Sequence, residues 1–210
     1  MNDIILIGGG GHCKSVIDSI EESKEYNIVG ILDLPDKVGT EILGVKVIGT
    51  DDQLEYYYKN GAKYAFLTVG SIGDVTLRKK LYSISLDIGY RFPNIIDNTA
   101  IISEKIQIGH GNYVGKGAII NSDTVIGNNC IINTGVIIEH ECSIGDFCHI
   151  APGSVLSGRV IVGRSSHIGT NSTIIQNINV GENTIIGAGS VVIKDIGDNR
   201  KAYGNPCREV

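Results

Sequence analysis

An aliphatic residue recurs at every sixth position through much of this 210-residue chain. Counting in sixes from Ile102 to Val192 meets sixteen aliphatics and no exception: Ile102, Ile108, Val114, Ile120, Ile126, Ile132, Ile138, Ile144, Ile150, Leu156, Val162, Ile168, Ile174, Val180, Ile186 and Val192. A helix repeats every 3.6 residues and a flat strand every two, so a period of six is neither. The pattern predicts a solenoid of coils whose aliphatics point inward and stack.

Small residues fill two other positions of the repeat. The residue after each aliphatic is often Gly or Asn, types that turn easily or tolerate a positive φ, so we expect the corners there. Two residues before each aliphatic lies mostly Ala, Ser, Thr, Cys or Val, and this position includes Cys130, Cys142 and Cys148. We interpret these three cysteines as small wall residues rather than ligands.

The composition excludes several classes of protein. Asp and Glu number 23 against 18 Lys and Arg, with no basic run, so nucleic acid is not an expected partner. Apolar runs are too short to cross a bilayer, and the start, "MNDIILIGGG", lacks the features of a signal peptide. The five cysteines contain no C-x-x-C pair, which predicts free thiols, no metal cluster and a cytoplasmic location.

The first 94 residues alternate strand-like and helix-like segments. An apolar run at 3–8, a segment at 12–26 with helical spacing and a second run at 27–33 form a β-turn-α-β unit. The alternation continues to about residue 94 and predicts a small Rossmann-like parallel sheet covered by helices. We therefore expect an α/β domain at 1–94, a parallel β-helix at 95–193 and a C-terminal cap at 194–210.

The glycines of "IGGGGHCKSV" (7–16) join the first strand to a helix, so their N–H groups form an anion cradle. As a dinucleotide fingerprint the stretch is incomplete, because Cys13 stands where a third glycine is expected. Asp33 ends the second strand, where a ribose-binding acid lies in dinucleotide-binding folds. An NAD-dependent oxidoreductase therefore stays an alternative on this stretch.

His140 is flanked by two acids in "EHE" (139–141), within a wall that otherwise looks structural. It is either a solvated surface residue or a general base. For a base, a neighbouring carboxylate would fix the ring tautomer and stabilise the imidazolium. On a straight strand both acids would face away from His140, so such a contact requires a bent backbone.

The repeat [Ile/Val/Leu]-Gly-x-x-x-x, with "GGGGH" (8–12), "NTGVIIEHEC" (133–142) and "YGNPCREV" (203–210), resembles the hexapeptide-repeat sugar acyltransferases. The similarity is to the subgroup of UDP-N-acetylbacillosamine N-acetyltransferase and the sialic acid O-acetyltransferases. It implies a left-handed β-helix with 18-residue coils, a homotrimer with active sites between subunits, and acetyl transfer from acetyl-CoA. It also implies that the N-terminal domain binds the sugar nucleotide.

The resemblance implies a role for each candidate residue. The base would be His140 with Glu141 as its partner, and Glu139 stays an alternative. Substrate contacts would come from a second group: Gly11, His12, Asp33, Gly70, Arg78 and Asn133. Coenzyme contacts would come from a third: His149, Gly158, Thr170 and Ala188. Two of these have competing interpretations, since Arg78 begins "RKK" on a predicted solvated helix face and Asn133 suits a corner. For His167, one coil after His149, we expect a surface stack.

Four functions remain open. The first is acetyl-CoA-dependent N-acetylation of a nucleotide-linked amino sugar, of the UDP-4-amino-sugar type, without a metal. The second is O-acetylation of sialic acid or a related sugar, and the third is a non-catalytic trimeric scaffold. The fourth is the NAD-dependent oxidoreductase. Because a fold does not determine a reaction, the residues and ligands of the site must separate these four functions.

Overall fold

A computed structural model describes all residues from 1 to 210. The chain divides into two compact units, which are described separately. The first comprises residues 1–71 and 75–95, and the second comprises residues 72–74 and 96–210.

The first unit is built on a five-stranded sheet. Its strands are β1 (Asn2–Ile7), β2 (Tyr26–Leu32), β3 (Glu41–Ile42), β4 (Val45–Gly49) and β5 (Tyr64–Leu67). Its helices are α1 (Gly11–Ser23), α2 (Leu54–Lys59) and α3 (Thr76–Ile88), with short 3-10 turns at Pro35–Lys37 and Asp51–Gln53. The strand order is β3-β4-β2-β1-β5, parallel except for the β3–β4 pair.

Continuous apolar runs explain the centre of this sheet. All four residues from Ile4 to Ile7 in β1 are fully buried, as expected for a parallel strand between two neighbours. Helix α1 buries Cys13, Val16, Ile17 and Ile20, which lie on one helical face. Because β1 and β2 end at the same edge of the sheet, the glycines after β1 and Asp33 after β2 come together there.

The second unit consists of very short strands. They are β6 (Ile95–Ile96), β7 (Ile101–Ile102), β8 (Gln107–Ile108), β9 (Tyr113–Val114), β10 (Ile119–Ile120), β11 (Val125–Ile126), β12 (Ile131–Ile132), β13 (Ile137–Ile138), β14 (Ser143–Ile144), β15 (His149–Ile150), β16 (Val155–Leu156), β17 (Ile161–Val162), β18 (His167–Ile168), β19 (Thr173–Ile174), β20 (Asn179–Val180), β21 (Ile185–Ile186), β22 (Val191–Val192), β23 (Lys201–Tyr203) and β24 (Arg208–Glu209). From β7 to β19, each strand pairs in parallel with the third strand after it, so three hexads make one coil. The coils stack into three sheets, and β24 closes one of them antiparallel to β23.

The sixteen in-frame aliphatics end the sixteen strands from β7 to β22. Fourteen of them are buried, while Ile102 and Ile108 are half-buried. The two exceptions lie in the first coil, which has no preceding coil of this repeat to pack against. The predicted inward stacking of the period-six residues is therefore confirmed, and it forms the core of this unit.

The corners do not lie where the glycines predicted them. A positive φ occurs at every sixth residue from 111 to 189, three residues after the aliphatic, and includes non-glycines such as Glu141 and Arg159. Glycine is needed directly after the aliphatics for another reason, because the backbone of the next coil approaches closely there. A Cβ on Gly145 would lie 2.6 Å from the Arg164 backbone nitrogen, and one on Gly169 2.5 Å from that of Ala188.

The small-residue position also connects the coils. All five cysteines are free and buried. The thiols of Cys130, Cys142 and Cys148 each point to a carbonyl oxygen 15 residues later, at 3.1 to 3.2 Å. The Ser154 hydroxyl donates to the Gly169 carbonyl in the same way, at 2.8 Å. These cysteines therefore pack as wall residues and add weak hydrogen bonds between coils.

Candidate active site

His140 lies at a corner of the β-helix, after β13, and its side chain is 55% exposed in the single chain. Its Nδ1 atom is 3.0 Å from Oε2 of Glu141. Glu139 makes no side-chain hydrogen bond or ion pair. The structure thus places Glu141, and not Glu139, beside the imidazole.

A left-handed corner brings these two neighbours together. Glu141 has φ of +60°, which bends the chain enough for its carboxylate to turn back to the preceding residue. Its amide N–H donates to the Ser122 carbonyl of the coil before, at 3.0 Å, which fixes the corner. The contact between adjacent residues therefore results from the coil geometry rather than from strand alternation.

Arg159 completes the cluster from the next coil. Its Nε donates to Glu141 Oε2 at 3.1 Å, so one carboxylate oxygen faces both Arg159 and His140. The hydrogen bonds from Arg159 and then from His140 lower the pKa of Glu141 below its ordinary value. Glu141 therefore stays ionised near neutral pH, and in that state it favours the His140 tautomer with a proton on Nδ1 and a lone pair on Nε2.

Gly158 packs against the His140 ring. A Cβ at this position would lie 2.6 Å from Cε1 and 2.7 Å from Nε2. The same surface continues into a cavity of about 320 Å³ lined by His140, Gly158, Arg159, Gln176 and Asn177. The ring thus has its Nδ1 beside a carboxylate and its Cε1–Nε2 side next to a residue without a side chain.

A second cavity of the β-helix brings together three of the four predicted coenzyme residues. It measures about 390 Å³, and His149, Thr170 and Ala188 are in its lining. Ile72, which is 85% exposed, lines it as well. Gly158 does not belong to this cavity, because it lies beside His140.

The imidazole of His149 is held from two directions. Its Nε2 is 3.2 Å from the Nδ2 atom of Asn133, whose Oδ1 accepts the Thr134 N–H at 2.8 Å. Asn133 lies two residues before the positive-φ corner at Gly135, so the expected corner position is wrong, and its side chain reaches the cavity of His149. The His167 ring meets His149 edge to face at 4.8 Å between centroids.

His167 is buried, so the expectation of a surface stack is wrong in this respect. Its side chain lines the same cavity, its Nδ1 has no hydrogen-bond partner, and burial lowers its pKa below the ordinary value. The ring is therefore neutral at neutral pH.

In the N-terminal unit, a cavity of about 420 Å³ lies at the carboxyl edge of the sheet, where ligands bind in open α/β folds. Its lining includes two predicted residues, Asp33 and Gly70. Asp33 Oδ2 accepts the Gly9 N–H and Oδ1 accepts the Leu34 N–H, each at 2.8 Å. These bonds hold the carboxylate in place and leave each oxygen one more lone pair for a ligand.

Gly11 and His12 begin helix α1, and the His12 Cβ is 3.8 Å from where a Cβ of Gly70 would be. Neither lines the cavity itself. Arg78 is only 2% exposed, and its guanidinium donates to the Leu67 carbonyl at 3.2 Å and to the Val69 carbonyl. The interpretation of Arg78 as a solvated helix-face residue is therefore wrong, because the ends of β5 and the loop after it enclose it.

Sequence reasoning missed several residues at these sites. Lys37 and Asp51 line the N-terminal cavity from two 3-10 turns, and burial and nearby Asp33 raise the pKa of Asp51. No motif marks such turns. Arg159 and Gln176 at the His140 cavity could have been predicted from the repeat. Arg159 lies one coil after residue 141, and Gln176 lies two coils after residue 140.

Comparisons with known proteins agree with both units. The family described as PglD N-terminal domain matches residues 3–84. The family described as bacterial transferase hexapeptide (six repeats) matches residues 123–158.

Solved structures of sugar acetyltransferases match the whole chain. A histidine-to-asparagine mutant of perosamine N-acetyltransferase from Caulobacter crescentus, solved with CoA and GDP-perosamine, is 36% identical, with a TM-score of 0.94 and coverage of 100% of this chain and 97% of that one. The acetyltransferase domain of PglB from Neisseria gonorrhoeae is 30% identical, with a TM-score of 0.93 and full coverage of both chains. The fold and the repeat, with these matches, place the chain in the hexapeptide-repeat sugar acyltransferase family.

The predicted family, enzyme class and fold, including the left-handed β-helix after an α/β domain, are therefore confirmed. A curated relative, uncharacterized protein L142 of Acanthamoeba polyphaga mimivirus, is 38% identical over 113 residues. That match spans 53% of this chain and 21% of the relative, so the chain covers about a fifth of its length. No helix has the length and apolar character that a membrane crossing requires.

Proposed function

We propose that the chain is an acetyl-CoA-dependent N-acetyltransferase that acts on the amino group of a nucleotide-linked amino sugar, with His140 as general base. The observation that carries this proposal is the 3.0 Å contact between His140 Nδ1 and Glu141 Oε2. It leaves Nε2 as the proton acceptor of a side chain that is 55% exposed. The Caulobacter relative, solved with CoA and GDP-perosamine, supports the same class of donor and acceptor.

The proposed reaction is a direct transfer. The lone pair of the sugar amine attacks the thioester carbonyl carbon, and His140 Nε2 accepts a proton from the amine nitrogen. The carbon–sulfur bond breaks as the tetrahedral intermediate collapses, and the coenzyme thiolate leaves with the sulfur electron pair. Protonation of that thiolate by the imidazolium restores the neutral base, so the products are an amide and a thiol.

For the donor we propose the cavity of His149, Thr170 and Ala188. Its apolar lining fits a pantetheine arm and an acetyl group, and Asn133 and His167 hold the His149 ring in one orientation. The PglB acetyltransferase domain was also solved with acetyl coenzyme A. No metal takes part in this scheme, and no cluster of three or more His, Cys, Asp or Glu is arranged to hold one.

For the acceptor we propose the N-terminal cavity, with residues 1–94 as the nucleotide-binding domain. The N–H of Gly10, at the start of α1, suits a diphosphate, whereas those of Gly8 and Gly9 already donate to the Leu32 carbonyl and to Asp33. The fixed carboxylate of Asp33 suits ribose or base donors. UDP-linked and GDP-linked 4-amino sugars are the acceptors to compare. Residues 95–193 would perform the acyl transfer, with 194–210 as the terminal cap.

We further propose a homotrimer. The sheet that contains β7, β10, β13, β16, β19 and β22 carries outward aliphatic residues, interrupted only by Thr173 of β19: Ile101, Ile119, Ile137, Val155 and Val191. In the single chain Ile101 is 65% exposed, and burial against a second copy would remove these residues from water. Because the cavities of His140 and His149 share no lining residue in one chain, a complete site would combine cavities of neighbouring subunits.

The five free cysteines fit a cytoplasmic location.

Thiol release from acetyl-CoA tests the proposal against UDP-, GDP- and CMP-linked amino sugars and free sialic acid. We expect release with one amino-sugar nucleotide, and a loss of about a hundredfold or more in kcat for His140→Ala. His110→Ala, at another exposed corner, is the matched control and should retain turnover.

The other outcomes each point to one alternative. Release only with sialic acid would favour O-acetylation, because the same base can deprotonate a hydroxyl. Full activity of His140→Ala would remove this residue from the mechanism. No release with any acceptor from an intact trimer would favour the scaffold.

A further inference from the structure

Glu141 uses one oxygen for two partners, and this is the feature that the proposed mechanism leaves unexplained. Oε2 lies 3.0 Å from His140 Nδ1 and 3.1 Å from Arg159 Nε. The two nitrogens are therefore no more than about 6 Å apart, close enough for the charge on Arg159 to act on the imidazole.

The balance of charge in this cluster depends on Arg159. With a neutral imidazole, Glu141 and Arg159 together carry no net charge, and protonation of His140 makes the cluster positive. Without Arg159, protonation would instead neutralise the lone carboxylate, so Glu141 would favour the imidazolium more strongly. An imidazolium cannot accept a proton, and the base would be blocked over a wider range of pH.

The other groups around His140 do not replace this charge. On its own coil the charged neighbours are Glu139 and Glu141, both acidic. On the following coils Gly158, Gln176 and Asn177 line the same cavity and are uncharged. On the coil before, Asp123 holds the place of Glu141 and is also acidic. Arg159 is thus the positive group in this surrounding.

We propose that Arg159 is a positioning residue that limits, through the shared carboxylate oxygen of Glu141, how strongly His140 retains a proton, and so sets the lower pH limit of catalysis. The inference rests on the proposed function, because it requires His140 to act as the base. Arg159 acts through Glu141 and needs no contact with the substrate.

The chain contains a matched control for this ion pair. Arg164 Nε and Glu182 Oε2 are 2.7 Å apart, and they are also separated by 18 residues along the β-helix. The side-chain exposures are 67% and 41%, against 62% and 42% for Arg159 and Glu141. The residue before Glu182 is Gly181, so this pair has no imidazole beside it.

The test is the pH dependence of kcat/KM for acetyl transfer, measured at constant ionic strength from about pH 5.5 to 9.5. For Arg159→Gln we expect the acidic limb to move up by about 0.5 to 1 pH unit, the effect of removing one positive charge about 6 Å away at a water-exposed site. On that limb kcat/KM would fall by about three- to tenfold. Arg159→Lys should restore most of the limb, and Arg164→Gln should keep the wild-type profile.

The outcomes separate this inference from the proposed function. An unmoved limb in Arg159→Gln, when His140→Ala is inactive, would overturn the role of Arg159 and leave the base intact. Wild-type turnover in His140→Ala would overturn both. An equal shift in Arg164→Gln would mean that overall charge, and not the shared oxygen, sets the limb, and would also overturn the inference. Rescue by lysine together with a silent Arg164→Gln supports it.

Discussion

Gly158→Ala provides the sharpest test of the active-site geometry. A Cβ at residue 158 would lie 2.6 Å from His140 Cε1 and 2.7 Å from Nε2, whereas ordinary contacts begin at 3.4 Å. The backbone at Gly158 accepts alanine without strain, because it does not have a left-handed φ. The His140 ring is therefore the group that moves, by about 0.8 Å.

The expected cost falls on catalysis rather than on stability. A base misplaced by about 1 Å loses about a hundredfold in rate, so we expect kcat/KM to fall by about 30- to 100-fold, or about 2 to 2.7 kcal/mol. The ring is 55% exposed and can move into solvent. The free energy of unfolding should therefore change by less than about 1 kcal/mol.

The assay combines steady-state thiol release with denaturant unfolding of the same samples. Gly197→Ala is the control, because a Cβ there would meet its nearest atom only at 3.7 Å. In a double-mutant cycle, Gly158→Ala should have little further effect once His140 is alanine, since no ring remains to be displaced. Wild-type turnover in Gly158→Ala would refute the position or the role of the His140 ring.

Three other predictions test the fold, the N-terminal cavity and the buried histidine. Ile138→Asp should abolish cooperative unfolding because it buries an unpaired charge. The control Val125→Asp, at a position 41% exposed, should fold. A wild-type melting temperature for Ile138→Asp would contradict the coil assignment. Asp33→Asn should weaken nucleotide binding by about tenfold or more, because charged hydrogen bonds are lost; calorimetry with UDP and GDP measures this, and unchanged affinity for both would exclude Asp33 from the site. Burial lowers the pKa of His167 below its unfolded value of about 6.5, so the unfolded chain binds more protons and stability should fall as the pH drops below that value. His167→Phe should flatten this part of the pH dependence of unfolding, and an unchanged slope would assign it to other groups.

In the β-helix, the sequence predicted the inward residues correctly but not the corners. Period six predicted the coil and its inward residues correctly, because burial of one aliphatic per side requires that spacing whatever the rest of the side contains. It misplaced the corners, because glycine was taken as the sign of a positive φ. The structure gives that conformation to Glu141 and Arg159, while Gly145 and Gly169 are needed for close approach between coils.

The sequence by itself determined the solenoid, the α/β domain before it and the candidate base in "EHE", because each depends on local spacing. Only the tertiary structure decided which acid meets His140, since a left-handed corner turns Glu141 back while leaving Glu139 unpartnered. It also decided that Arg159 and Gly158 lie against the same pair, because stacking brings together residues that are 18 positions apart. Local patterns encode the frame of the coil, and contacts between coils determine the chemistry of its corners.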